Sequence, residues 1–250
     1  TYRLWGRLLY NPNADPDSWG RFFRTEFGPA ARDCEAALAN ASRVLPLVTT
    51  AHLPSASNNG YWPEIYSSIP IVTKCFAAVN GIDPGLFSSI NGFVDELVKG
   101  PRSGKYSPLE VATWLEALAD NADAHLAKAG SQIARLSSPA FQRLATDVAI
   151  QSGTGRFLAQ KLRAGVAYEL SERLDDRAVL EQAVNYYRAA RDTWQKMLNA
   201  TKGVYQENLT YGRELHLRGH WADRLPAIQK DLAEMEKLLN EKSGVTAKAR

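Results

Sequence analysis

Four times in this chain an Asp or Ser stands directly before a proline: Asp15-Pro16, Asp83-Pro84, Ser107-Pro108 and Ser138-Pro139. Each pair marks a helix start. The Asp or Ser oxygen accepts from a backbone N–H that has no partner inside the helix, and Pro at the first helical position needs none. Ser107 also has Glu110 three residues on, which makes a capping box. Such starts constrain the fold more than any other feature, because they cut the chain into helices with defined beginnings.

Apolar residues at helical spacing fill the segments between these starts. Helices are expected over 16–27, 29–48, 61–68, 71–79, 84–98, 108–134, 139–173, 177–199 and 206–241. Cys34, Leu38, Ala41 and Leu45 share one face; so do Phe87, Ile90, Val94 and Leu97. Leu115, Leu118, Ala122, Leu126 and Ile133 form the stripe of the sixth helix. Leu225, Ile228, Leu232, Met235 and Leu239 form that of the last, with a kink expected at Pro226. Tyr186, Tyr187, Trp194 and Met197 read as core. Gly153-Thr154-Gly155-Arg156 faintly suggests a phosphate loop, but it lacks the Lys and the preceding strand, and it reads as a helix break.

The opening run of Tyr2, Leu4, Trp5, Leu8, Leu9 and Tyr10 reads as extended and strand-like. No alternating strand follows residue 10, and no repeat of fixed period is found. The expected fold is all-α, a bundle of long, mostly antiparallel helices entered by a short extended N-terminal segment. Residues 1–14 are expected to be an extended seam from an upstream part of the polypeptide. Residues 15–242 form the helical domain, and 243–250 a flexible, small and basic tail.

A chain of 250 residues holds one large domain or two small ones. The formal charge of +3 is small and comes in no single-sign block, so neither nucleic acid nor an anionic membrane is an expected partner. No apolar run approaches the ~20 residues of a membrane span. Cys34 and Cys75 are not spaced as a metal clip. They read as buried thiols, with a disulfide between them left open. Asn-x-Ser/Thr triplets at Asn40, Asn199 and Asn208 carry little weight.

Two stretches offer groups for recognition. The loop 49–64, TTAHLPSASNNGYWPE, places Asn58, Asn59, Tyr61, Trp62 and Glu64 together. That mix suits sugar hydroxyls and sugar faces, and it equally suits an Asn-Asn-Gly turn with an aromatic anchor. Glu64 has no partner carboxylate placed near it, as a two-carboxylate glycosidase needs. The second loop, 99–107, reads as a solvated connection. The run Arg213–Arg224 holds His216, Arg218, His220 and Trp221. Arg forks and a Trp face suit a substrate or a docking domain, whereas Glu214 with Arg218, and Asp223 with a neighbouring Arg, suit an ion-paired helix end. His216 and His220 are four apart, but Leu217 stands where a zinc hydrolase carries Glu, so no metal is expected and no cofactor is called for.

Residues 4–28, LWGRLLYNPNADPDSWGRFFRTEFG, resemble the seam between the catalytic barrel and the C-terminal helical domain in xylan α-glucuronidases. The matching features are Gly6, Arg7, Leu8, Tyr10, Asn11, Pro12, Trp19, Phe27 and Gly28. The resemblance covers about a tenth of the chain and carries over no catalytic residue, since the carboxylates of that family lie in the barrel. It implies an accessory helical domain of a carbohydrate-active glycoside hydrolase. Its partners would be an upstream (β/α)8 barrel of the same polypeptide, carbohydrate at the rim of the site, and a second copy at a homodimer surface. Hydrolases of this kind are often exported. Two other readings stand beside it: a helical protein-interaction domain, and a helical polysaccharide lyase in which Asn58-Asn59 resembles part of an Asn-Asn-His motif, with Gly60 in place of His.

Overall fold

The computed structural model describes residues 2–15, 17–52, 69–210 and 218–248. The fold is all-α. Its helices are α1 (Tyr2–Tyr10), α2 (Asp17–Phe27), α3 (Ala31–Ala41), α4 (Val44–Ala51), α5 (Cys75–Ala78), α6 (Ile90–Lys99), α7 (Pro108–Gln132), α8 (Pro139–Leu174), α9 (Arg177–Thr201) and α10 (Leu225–Lys248). A two-residue antiparallel pair, β1 (Leu209–Thr210) with β2 (Arg218–Gly219), and a 3-10 turn (Trp221–Arg224) precede α10.

The expected caps form. Ser107 accepts from the Glu110 N–H and Glu110 returns a bond to the Ser107 N–H; Ser138 accepts from the Phe141 N–H. Asp15 accepts from the Asp17 N–H at 2.8 Å. Asp83 accepts from Gly85 and Leu86 as foreseen, but the helix does not continue. The backbone at 86–88 instead bonds Tyr106, by Ser88 N–H to Tyr106 O and Tyr106 N–H to Leu86 O, both at 2.9 Å. The helix then restarts behind Ser89, which accepts from the Gly92 N–H.

Several expectations change. The opening run is a helix, α1, and not an extended segment. Its apolar doublets, Leu4-Trp5 and Leu8-Leu9, are four residues apart, which matches a period of 3.6 and not 2. The helix expected over 29–48 breaks between α3 and α4, because Pro46 has no N–H and its ring would collide with the carbonyl of residue 42 in a continuous helix; it sits instead in the first turn of α4. The helix expected from 206 begins at Leu225, and α10 runs on to Lys248. Gly219 takes φ +120° within the β pair, and Pro226 is the second residue of α10, where it costs no kink. The helix expected over 61–68 lies outside the described residues. Cys34 is buried as expected, but Cys75 is exposed, and both are free thiols.

The longest helix, α8, is the axis of the fold. It packs chiefly on α9 and α7. It does not break at 153–155, because those glycines serve packing. A Cβ on Gly153 would stand 2.9 Å from the Cβ of Met197 in α9, and one on Gly155 3.2 Å from Val44 in α4. Gly165 does the same for Ile90 and Phe76. The larger core joins Phe76, Ile90, Phe157, Leu158, Tyr187 and Trp194 across α5, α6, α8 and α9. A smaller one, rich in alanine, joins Phe27, Cys34, Ala37, Ala122, Phe141 and Val148 across α2, α3, α7 and the start of α8. Small side chains there allow close helix approach. On the outer face of α7 and α8, Arg156 pairs with Asp120 and Asp123, and Arg163 with Glu116.

Candidate functional site

Of the residues singled out from the sequence, Arg218, His220 and Trp221 are described. Asn58, Asn59, Tyr61, Trp62, Glu64 and His216 lie outside the described residues. The structure gathers His220 and Trp221 with Tyr205 and Trp194 at one end of α9.

The arrangement is built from the core outward. Trp194 in α9 is fully buried, with its ring edge on Phe157 at 4.8 Å between centroids. Its indole N–H donates to the main-chain oxygen of Trp221 at 3.0 Å, which holds the 3-10 turn to α9. Trp221 stacks edge-on between Tyr205 at 5.3 Å and His220 at 5.2 Å. The Tyr205 hydroxyl donates to Asp147 in α8. Three aromatic rings are thereby tied to α8, to α9 and to one another.

His220 is the cap of the 3-10 turn and not a member of a helix face. Its Nδ1 accepts from the Ala222 N–H at 3.1 Å, which places the ring proton on Nε2. Asp223 accepts from the His220 N–H at 2.7 Å. Asp223 is thus engaged as a cap, and the ion pair expected for it does not form among the described residues. Trp221 is 6% exposed, and its Nε1 has no acceptor among the described residues. Two open clefts flank Tyr205. One, of about 450 Å³, lies between the α3–α4 corner and α8; the other, of about 740 Å³, lies between the end of α9 and the 3-10 turn.

A second set of polar groups sits inside the core, and sequence reasoning missed it. Lys161 in α8 is fully buried, with Nζ over the Phe76 ring at 4.8 Å and near the Phe157 and Tyr187 rings at 5.8 Å. His52 packs edge-on against the other side of this region, 4.7 Å from Phe76. Burial first, and the Lys161 charge second, push its pKa down to about 3, so the ring is neutral. Glu169 is 2% exposed, and burial raises its pKa against the pull of Lys74 and Arg173. Asp231 in α10 accepts from the Ile71 and Val72 N–H groups and anchors the turn that starts there. Lys161 is one of several charged residues of α8, with Arg156 and Arg163 near it in the chain, so only its position, one turn from Phe157, hints at burial.

Asp33 receives His125 at 2.9 Å and Lys128 at 3.3 Å, and these contacts lower its pKa. Among the described residues no three His, Cys, Asp or Glu side chains converge as a metal site. Among the described residues no helix is long and apolar enough to cross a membrane.

No known protein family's description matches this sequence, and no curated protein matches it. Among solved structures the chain is similar to a GH138 enzyme targeting pectin rhamnogalacturonan II, with a TM-score of 0.76 and 15% identity. The match covers 97% of this chain and 38% of that one. The chain thus spans less than two fifths of the length of that enzyme. The fold resembles that of part of this enzyme, and the likeness does not single out the xylan α-glucuronidases.

Proposed function

We propose that this chain is a helical accessory domain of a carbohydrate-active glycoside hydrolase. It packs on a catalytic (β/α)8 barrel of the same polypeptide and braces chemistry performed there. The observation that carries this reading is the likeness of nearly the whole chain to under two fifths of a larger glycoside hydrolase. Eight of the described carboxylates are held in structural contacts. Asp33, Glu116, Asp120, Asp123 and Asp147 are engaged by bases or a hydroxyl, and Glu110, Asp223 and Asp231 by backbone N–H groups. Such groups serve structure rather than general acid–base work.

The surface proposed for the barrel is α1. Trp5 is 59% exposed, Leu9 71% and Tyr10 94%. An amphipathic helix with its apolar side open to solvent gains by packing on another domain. The reading frame upstream of Thr1 tests the reading. Alternating strands and helices with acidic residues at strand ends are expected there. A start codon immediately before Thr1 overturns it.

A further inference from the structure

Tyr205 and Trp221 stand between two clefts that share Tyr205 as a common wall. In the first, Leu45, Pro46 and the Tyr205 ring give a flat apolar wall, the kind of surface on which the C–H face of a pyranose packs. Polar groups converge on the same space. Asp147 takes the Tyr205 hydroxyl on Oδ1, which leaves Oδ2 to accept from another donor. The Gln151 amide bonds no described residue. Trp221, nine-tenths buried, has an indole N–H with no acceptor among the described residues.

The second cleft lies beyond Tyr205, with Gln195, Lys202, Glu207 and His220 along it. His220 Nε2–H is free to donate, since Nδ1 is the atom that holds the turn. The two linings together carry Asp147, Glu207 and Asp223 against Lys202 alone, so the groove is net negative. A uronate would be repelled and a hydroxyl-rich neutral sugar would not.

We propose that this groove binds a neutral oligosaccharide, one pyranose on either side of Tyr205. The Gln151 amide donates to a sugar oxygen, and Asp147 accepts from a hydroxyl. The proposal rests on the carbohydrate reading given above and adds to it a class of sugar and a place.

The test is titration of the 250-residue chain with galactobiose, xylobiose and methyl rhamnoside, and in parallel with digalacturonate. The readout is the ¹H–¹⁵N resonance of the Trp221 indole. Movement of that resonance with a neutral probe at a dissociation constant of about 1 mM or below is expected. At least a tenfold weaker response to digalacturonate is expected with it. Gln151→Ala, a half-buried residue without a structural bond, should weaken binding several-fold and leave the melting temperature unchanged. No movement with any neutral probe up to about 20 mM overturns the proposal. Equal or tighter binding of digalacturonate, or binding indifferent to Gln151→Ala, overturns it too. Such a failure leaves the accessory-domain reading standing, because that reading is decided by the upstream reading frame and by hydrolysis assays and not by this titration.

Discussion

The indole N–H of Trp194 and the main-chain oxygen of Trp221 meet at 3.0 Å across 27 residues of chain. This bond joins the rigid part of the fold, α8 with α9, to the irregular turn that carries the candidate site. Trp194→Phe keeps most of the ring but strands the carbonyl. The expected loss is about 1–3 kcal/mol of stability by chemical denaturation. Hydrogen exchange should show the loosening concentrated in residues 218–224.

Glycines inside α8 hold its neighbours close. Gly165→Ala would set a Cβ 2.9 Å from Ile90 Cδ1 and 3.1 Å from Phe76 Cδ1. A destabilisation of about 1–3 kcal/mol is expected despite the better helix propensity of Ala. Gly6→Ala in α1 is the control, since nothing stands within 4 Å of a Cβ there. It should be neutral or raise stability by up to about 1 kcal/mol.

His52 makes folding sensitive to mild acid. Its pKa is about 3 in the folded chain and 6.5 ordinarily. Between those values the unfolded chain holds the extra proton, so this contribution is complete above pH 6.5 and shrinks as pH falls. The slope approaches about 1.4 kcal/mol per pH unit. Denaturation curves between pH 6.5 and 5 should show a shallower decline in His52→Phe than in the parent.

Asp231 ties α10 to the stretch at 71–72 through two backbone N–H groups, at 2.9 and 3.4 Å. Asp231→Ala should cost about 1–3 kcal/mol, and Asp231→Asn less, because its remaining carbonyl oxygen still accepts one bond. Thermal melts of the three chains check the order.

Leu9→Ser with Tyr10→Ser changes exposed residues of α1. The chain itself should melt within about 0.5 kcal/mol of the parent. Within the whole polypeptide the same pair should increase proteolytic cleavage near residues 11–16. Equal cleavage of both forms would remove α1 as the docking surface.

The helices were legible wherever a cap and a stripe agreed. Ser107 with Glu110 and Ser138 with Pro139 start α7 and α8 where the sequence predicts, and the core residues Tyr187, Trp194 and Met197 are buried as predicted. Errors fell where one residue outweighed a pattern. Pro46 splits a helix whose apolar spacing is unbroken, and the 86–88 bridge to Tyr106 diverts a turn that Asp83 had capped correctly. Gly153 and Gly155 look like breakers along the chain and act as contact points across it. At the candidate site Trp221 and His220 were foreseen, but Tyr205, Asp147 and Trp194 were not joined to them. They come from three elements, and only tertiary packing brings them together.

The most direct test of the central claim measures release of reducing ends from rhamnogalacturonan II and from glucuronoxylan, by the native gene product and by the 250-residue chain alone. Release by the native product and none by the chain alone is the expected result. Hydrolysis by the isolated chain at a rate matching the native product would contradict it.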